Sequence, residues 1–172
     1  MSHARSTEFE PLNIAILTVS DTRTEDTDKS GKLLASRATE AGHHVVKRAI
    51  VPDEIEAIRA AVRDWVADEQ VHIVLSTGGT GITRRDITPE ALEPLFDKHI
   101  PGFGELFRMV SFQIIGTSTV QSRATAGLAG NTYIFALPGS PGACRDAWDR
   151  ILVEQLDNRH RPCNFSELRA RL

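Results

Sequence analysis

Residues Leu75 to Ala91 read LSTGGTGITRRDITPEA, in which a short apolar segment runs directly into three closely spaced glycines. The apolar segment, Val71 to Leu75, favours a buried strand because it is rich in β-branched and aliphatic residues. Thr88-Pro89-Glu90 then resembles the start of a helix, with Thr88 as the N-cap and Pro89 in the first turn. A strand, a glycine loop and a helix in this order are typical of a parallel α/β sheet.

The glycine loop is the first candidate binding element. Glycines lack the Cβ atoms that hold a backbone away from a ligand, and they permit turns at positive φ. Successive backbone N–H groups in such a loop can point at an anion, and threonine hydroxyls add further donors. The residues predicted to bind phosphate or nucleotide are Thr77, Gly78, Gly79, Thr80 and Gly81. The spacing fits neither G-x-x-x-x-G-K-[ST] nor G-x-G-x-x-G, and a tight turn without a ligand remains an alternative.

Asp86 is the second candidate, because it follows Gly81 by five residues. Magnesium prefers oxygen ligands and is commonly held by one or two carboxylates together with the phosphates of a substrate. Asp86 beside a phosphate loop is therefore a candidate magnesium ligand. An aspartate at this point can also close the loop as an Asx turn, and the two roles are compatible.

The rest of the chain alternates between strand and helix patterns. Strands are predicted at Asn13 to Val19, His44 to Ile50, Val71 to Leu75, Ala124 to Ala129 and Thr132 to Leu137. Helical spacing is seen before Gly42, over Ile55 to Val66, around Phe103 to Ile115 and after Ser140. This alternation predicts an α/β domain with three layers, in which helices cover both faces of a mostly parallel sheet. The domain is predicted at 13–157, between an N-terminal segment, 1–12, and a solvated C-terminal tail, 158–172.

Two of the helix starts carry capping patterns. Asp53 precedes the second helix and Glu56 follows it by three residues, which predicts a capping box. Ser140 is the expected N-cap of the last helix, with Pro141 at its first position. The free N-terminus at Ser140 would favour an anionic group.

The polar sequences of this chain follow its strand candidates. Ser20-Asp21, Val51-Pro52-Asp53, Thr77 to Gly81 with Asp86, and Pro138 to Ser140 each come after a predicted strand. Ligands of open α/β sheets bind beyond the carboxyl ends of the strands. These four loops are therefore predicted to line one crevice.

Composition restricts the class of protein and its partners. The 172 residues, 41% hydrophobic and 25% charged, suit one globular domain, and the net charge of −3 gives no support for binding nucleic acid. No apolar run approaches the length of a membrane span, and no signal peptide is evident, so a cytoplasmic location is expected. No zinc ligand set is expected, because His43, His44, His72 and His99 show no suitable spacing. Spacing does not tell whether Cys144 and Cys163 are close together.

The helix around Phe103 to Ile115 is apolar on nearly all sides. Phe107 and Val110 lie on one stripe, while Met109 and Phe112 leave little of the opposite face polar. Such a helix is either deeply buried or packed against another subunit, and we expect a homo-oligomer.

Taken together, four segments closely resemble the MoaB/MogA family of molybdenum cofactor biosynthesis proteins. They are IAILTVSDT from Ile14, TGGTGITRRDITPEA from Thr77, SRATAG from Ser122 and ALPGSPG from Ala136, and the resemblance spans nearly the whole chain. The closing RPCNF from Arg161 is most similar to the MoaB branch. The resemblance implies a three-layer α/β molybdopterin-binding fold that assembles as a trimer, or as a hexamer in the MoaB branch.

The activity that the resemblance implies is an ATP- and Mg²⁺-dependent adenylyl transfer to the terminal phosphate of molybdopterin. Asp53 and Asp86 match the two carboxylates that are important for this step in the family. Asp86 would hold Mg²⁺ against the ATP phosphates, and Asp53 would position the metal or the nucleophile. Candidates to bind pterin or nucleotide are Ser20, Asp21, Ser111, Ser122, Arg123 and Ser140. A purely structural role remains an alternative for Ser111 and Asp21.

Two other functions remain open at the level of sequence. Some members of the MoaB branch lack one or both carboxylates, whereas this chain keeps Asp53 and Asp86, which favours an adenylyltransferase. The main alternative is a molybdopterin-binding or carrier protein without nucleotide chemistry. A different nucleotide-binding enzyme of the same fold is the third possibility, since fold does not determine function.

Overall fold

The computed structural model describes residues 8–172, in which one six-stranded sheet carries helices on both faces. The strands are β1 (Asn13–Val19), β2 (His44–Val51), β3 (Ile73–Thr77), β4 (Lys98–His99), β5 (Thr125–Ala129) and β6 (Thr132–Leu137). They lie in the order β2-β1-β3-β6-β5-β4. The first four of these pair in parallel, whereas β5 and β4 pair antiparallel at one edge. The predicted α/β fold with a mostly parallel sheet is confirmed.

Seven α-helices complete the layers in the described part of the chain. They are α1 (Lys29–Glu40), α2 (Ile55–Val66), α3 (Thr88–Leu92), α4 (Pro101–Ile115), α5 (Pro141–Ala147), α6 (Val153–Gln155) and α7 (Phe165–Leu168). A π-helical segment, Trp148–Leu152, joins α5 to α6. None of the helices within residues 8–172 is long and apolar enough to cross a membrane.

The two faces of the sheet bury separate hydrophobic clusters, because successive residues of a strand point to opposite faces. On one face, Ile14, Ile16 and Phe135 pack with apolar residues of α1, α4 and α5. On the other face, Ala15 and Leu17 pack with residues of α2 and α3. Strands buried on both faces explain the continuous apolar runs in the sequence.

The strand order reverses between β1 and β3. From β1 the chain passes to β2 on one side, while β3 and β6 lie on the other side. Adjacent strands whose crossovers leave in opposite directions open a crevice at their carboxyl ends. The ends of β1 and β3, at Val19 and Thr77, therefore border the natural ligand site of this sheet.

Two predicted helix caps are wrong, whereas a third is confirmed. The side chain of Asp53 does not cap α2, whose N-cap is Glu54 without a side-chain hydrogen bond. Thr88 is the first residue of α3 rather than its N-cap, and its hydroxyl donates to the carbonyl of Gly78. Ser140 caps α5 as predicted, accepting the N–H of Ala143 at 3.2 Å.

The C-terminal tail is more buried than the predicted solvated segment. Asn164 and Ser166 are buried, and the Asn164 side chain caps α7 by accepting the N–H of Glu167. The ring of Phe165 packs on those of Tyr133 and Phe135. Residues of the tail therefore extend the core on the side of β6. Of the predicted N-terminal segment, residues 1–7 lie outside the described residues.

Candidate functional site

The predicted polar loops meet in a pocket of about 520 Å³ at the carboxyl ends of β1, β2 and β3. Its lining includes the predicted site residues Ser20, Asp53, Thr77, Gly78, Gly79 and Asp86. Asp21 is not part of this lining, but it is hydrogen-bonded to Asp53, which is. Loops that are far apart in the sequence converge here because their strands are parallel neighbours in the sheet.

The first two loops are tied together by a reciprocal pair of hydrogen bonds. The Asp21 N–H donates to Oδ2 of Asp53 at 3.0 Å, and the Asp53 N–H donates to Oδ1 of Asp21 at 3.0 Å. Burial and the nearby charge of Asp21 raise the pKa of Asp53 above its ordinary value. The Arg85 guanidinium and the Asp53 N–H instead lower the pKa of Asp21.

Asp86 follows the glycine loop and is held by Thr83. The N–H and the hydroxyl of Thr83 donate to Oδ2 of Asp86 at 2.8 Å and 2.7 Å. Burial alone would raise the pKa of this carboxyl, but these two bonds, the Gly81 N–H and the charge of Arg123 outweigh it and lower the pKa. Asp86 is therefore an ionised carboxylate at neutral pH, and it closes the loop as the Asx-type alternative requires.

The glycine loop is shaped by two residues at positive φ. Gly78 has φ +106° and Gly79 has φ +67°, conformations that side chains disfavour. A Cβ at Gly78 would lie 2.2 Å from the carbonyl oxygen of Val19, and one at Gly79 would lie 2.3 Å from the hydroxyl of Thr88. The Thr88 N–H also donates to the carbonyl of Gly79. The loop is thus fixed against both β1 and α3.

Arg123 braces the same loop from the opposite side. Its Nε donates to the carbonyl of Gly81 and its Nη2 to the carbonyl of Asp86, both at 2.7 Å. Its guanidinium also pairs with the carboxylate of Glu90. Arg123 therefore acts on the loop backbone, and this contact set supports a positioning role beside its predicted role in substrate binding.

A second pocket, of about 350 Å³, opens on the other side of the loop. It brings together the predicted residues Ser111, Ser122 and Ser140 with Thr80 and Gly81. Apolar side chains such as Phe107 and Ile115 form another part of its wall. Gly79, Asp86 and Gly139 line both pockets, so the loop is a partition between them.

Sequence reasoning missed several polar residues of the first pocket. They are Thr18, Arg23, Asp28, Lys29, Ser30 and Arg85. Asp28 is 2% exposed and caps α1, accepting the Gly31 N–H and the Thr18 hydroxyl. An aspartate just before Lys29-Ser30-Gly31 is a recognisable N-cap pattern, which could have located the start of α1. The sequence around Arg85 shows no periodicity or spacing that would identify Asp21 as its partner.

The donor set of the first pocket fits a magnesium ion that arrives with a phosphate ligand. Asp53 and Asp86 are close enough for the charge of one to raise the pKa of the other. Within residues 8–172, no group of three or more His, Cys, Asp or Glu side chains could hold a metal ion. Asp53 and Asp86 line this pocket together with Gly78 and Gly79. Two carboxylates beside such a loop suit Mg²⁺, whose coordination is usually completed by phosphate oxygens and water.

The two cysteines are far from equivalent. Cys144 is buried beneath the first pocket, where its thiol contacts the Thr77 hydroxyl at 3.2 Å. Burial raises the pKa of this thiol to about 11, so it remains a neutral thiol. Cys163 is exposed in the C-terminal tail.

Comparison with protein families identifies the same domain. Residues 15–158 match the family described as "Probable molybdopterin binding domain". Molybdenum cofactor biosynthesis protein B of Escherichia coli (strain K12) is 61% identical over 160 residues, which cover 93% of this chain and 94% of that protein. The protein of the same name from Bacillus subtilis (strain 168) is 50% identical over 142 residues, covering 82% and 84% of the two chains.

Solved structures give the same result. A crystal structure of molybdenum cofactor biosynthesis protein B superposes with a TM-score of 0.83 at 49% identity, covering 86% of this chain and 92% of the other. The tungsten cofactor synthesizing protein MoaB from Pyrococcus furiosus superposes with a TM-score of 0.75 at 38% identity, covering 84% and 92%. The fold is thus shared with solved proteins of the same family.

Proposed function

The chain belongs to the family of molybdenum cofactor biosynthesis proteins with a molybdopterin-binding domain, and we propose that it adenylylates molybdopterin with Mg-ATP. The observation that carries the proposal is the glycine loop between two pockets. Gly79 and Asp86 line both of them. Two substrates bound on opposite sides of the loop would present their phosphates to the same backbone, whereas a carrier needs one pocket only.

The reaction is a transfer between phosphates. An oxygen of the terminal phosphate of molybdopterin attacks the α-phosphorus of ATP, and a new P–O bond forms. The bond from the α-phosphorus to the bridging oxygen breaks, and pyrophosphate leaves with that electron pair. Such a step depends on alignment of the reacting groups and on neutralisation of the charge on the attacking and leaving oxygens.

The residues of the first pocket suit these two tasks. When bound, Mg²⁺ would neutralise phosphate charge, and Asp86 and Asp53 are the side chains that would hold it. The reciprocal bonds between Asp21 and Asp53 fix the position of the second carboxylate. The Gly78 N–H already donates to the carbonyl of Leu137. The Gly79 N–H is therefore the glycine donor of this pocket that would meet a phosphate oxygen.

The second pocket suits the pterin. Serine hydroxyls at Ser111, Ser122 and Ser140 offer donors and acceptors for a heterocycle with polar edges. The apolar wall at Phe107 and Ile115 offers a surface for its flat face. Asp21 and Ser20 lie on the nucleotide side of the loop.

Pyrophosphate release tests the proposal. We expect release that requires both molybdopterin and Mg-ATP, and a loss of at least about 100-fold in Asp86→Asn, because a charged ligand of the phosphate-bound metal is removed. Asp64→Asn is the matched control, since Asp64 is an exposed aspartate on α2 outside both pockets. Molybdopterin binding without any release would leave the carrier function instead.

Assembly is a separate part of the proposal. The side chains of Met109, Phe112 and Ile115 on α4 are more than half exposed, as is that of Val120. Apolar side chains grouped in this way favour contact with a second copy of the chain. The homo-oligomer would be a trimer or a hexamer.

A further inference from the structure

Arg85 is one of three cations of the first pocket that the proposed chemistry has not yet used, beside Arg23 and Lys29. Its Nε and Nη2 both donate to Oδ2 of Asp21, at 2.9 Å and 2.6 Å. Within the described part of the chain, the guanidinium contacts no other acceptor. The side chain of Arg85 is 61% exposed and that of Asp21 37%, so water reaches the pair.

The Asp21 carboxylate, which binds Arg85, also accepts a hydrogen bond from a second residue. Oδ1 of Asp21 accepts the N–H of Asp53, so the two oxygens of one carboxylate hold different groups. Loss of the Oδ2 contact would release Arg85 without breaking the bond that ties Asp21 to Asp53. The arrangement therefore contains a cation that can leave its partner while the carboxylates stay in place.

The surrounding charges explain why an anion would attract this cation. Asp28, Asp53 and Asp86 line the pocket, and Asp21 is bound to Asp53 beside it, so four carboxylates would repel a polyphosphate. Arg23 and Lys29 line the same pocket and supply two further positive charges. Unlike Lys29, Arg85 has a planar guanidinium fork that can hold two phosphate oxygens at once. Its hydrogen bonds to Asp21 hold this fork beside the pocket.

We propose that Arg85 binds the β- and γ-phosphates of ATP, and that it exchanges Asp21 for these phosphates when the nucleotide enters. The identity of the nucleotide rests on the proposed function. An exposed ion pair is weak because water screens it, whereas a polyphosphate offers more charge and more acceptors. Asp21 would thus hold Arg85 over the pocket until the phosphates replace Asp21 as the partner of the guanidinium.

Inorganic pyrophosphate with Mg²⁺ is the probe, because it carries the phosphate chemistry without the adenylyl reaction. Its dissociation constant is measured by titration calorimetry on the full-length chain. Arg85→Ala should weaken binding about tenfold or more, since hydrogen bonds between charged groups are lost. Arg84→Ala is the matched control, because Arg84 is the exposed neighbour that lines neither pocket.

The exchange itself is tested by Asp21→Asn. The amide keeps an oxygen for the Asp53 N–H but loses the charge that holds Arg85. We expect pyrophosphate binding about two- to fivefold tighter, the range of an exposed ion pair. This gain should disappear when Asp21→Asn is combined with Arg85→Ala, because a double-mutant cycle isolates their coupling. Arg85→Lys should recover only part of the lost affinity.

Two outcomes would overturn the inference. One is equal pyrophosphate affinity in Arg85→Ala, Arg84→Ala and the natural chain, including no binding by any of them. The other is the same gain from Asp21→Asn with or without Arg85, which would reflect a general loss of negative charge. Binding that depends on Arg85 without pyrophosphate release from ATP would support this inference and contradict the proposed adenylyl transfer.

Discussion

At the scale of a single residue, His43 is an acid-sensitive part of the core. It is 4% exposed, its Nδ1 accepts the N–H of Leu12 at 3.1 Å, and its ring contacts Phe9 and Trp148. Burial lowers the pKa of His43 from 6.5 to about 4. The imidazole is therefore neutral in the folded protein over a range of pH in which the unfolded chain binds a proton.

This difference makes the free energy of unfolding depend on pH. The stability is fully present above pH 6.5 and is lost progressively as pH falls toward 4, because only the unfolded state gains the proton. Between pH 7.5 and 5.5 we expect a loss of about 1 kcal/mol. Urea unfolding at the two pH values measures it. His43→Asn, which keeps a side-chain acceptor but does not titrate, should show a smaller loss, and an unchanged loss would contradict the assignment to His43.

Sequence reasoning located the residues that interact with close neighbours in the chain. It missed those whose partners are distant in the sequence. The glycines and Asp86 stand within a few positions of one another, so their spacing predicts a loop with a carboxylate. The partner of Arg85 is 64 positions away, and only the sheet brings Asp21 to it. Ser30 similarly donates to the carbonyl of Gly139, 109 positions away. Contacts of this kind depend on topology.

At the scale of an element, the glycine loop should tolerate no side chain at Gly78. Gly78→Ala would combine a φ of +106° with a Cβ 2.2 Å from the Val19 carbonyl oxygen. We expect a loss of about 2 kcal/mol or more in the free energy of unfolding, measured with urea. Gly102→Ala on α4 is the control, because a Cβ there meets nothing within 4 Å.

The control should be neutral or stabilising by about 0.4–1 kcal/mol, since alanine restricts the unfolded chain. Equal stability of the two alanine variants would show that the loop relaxes away from β1. In that case the close approach of the loop to Val19 would not be a requirement of the fold.

The type of each main element was predictable because apolar periodicity reflects burial. β6 runs from Thr132 to Leu137, as the sequence indicates, and α2 covers the predicted Ile55–Val66. Cap patterns failed where a tertiary acceptor or donor competed for the same side chain. The Thr88 hydroxyl donates to the Gly78 carbonyl, and the Asp53 carboxylate accepts the Asp21 N–H. Both side chains therefore form hydrogen bonds within the site instead of capping the helices.

At the scale of the whole molecule, the exposed apolar face of α4 connects assembly with the site. Met109, Phe112 and Ile115 are exposed on this helix, while Phe103 and Phe107 of the same helix are buried in the core. Ile115 also forms part of the wall of the second pocket. A neighbouring copy packed on this face would therefore cover one side of that pocket.

The assembly is tested by placing a charge on this face. Phe112→Asp should reduce the molar mass measured by light scattering from that of a trimer or hexamer toward a monomer, because burying an unpaired carboxylate is unfavourable. Ala60→Asp, which adds the same charge to an exposed position of α2, should leave the mass unchanged. A natural chain that is already monomeric, or a Phe112→Asp variant that keeps its mass, would show that this face is not the interface. If the mass falls, weaker molybdopterin binding in the same variant would indicate that the second pocket is completed by the neighbouring subunit.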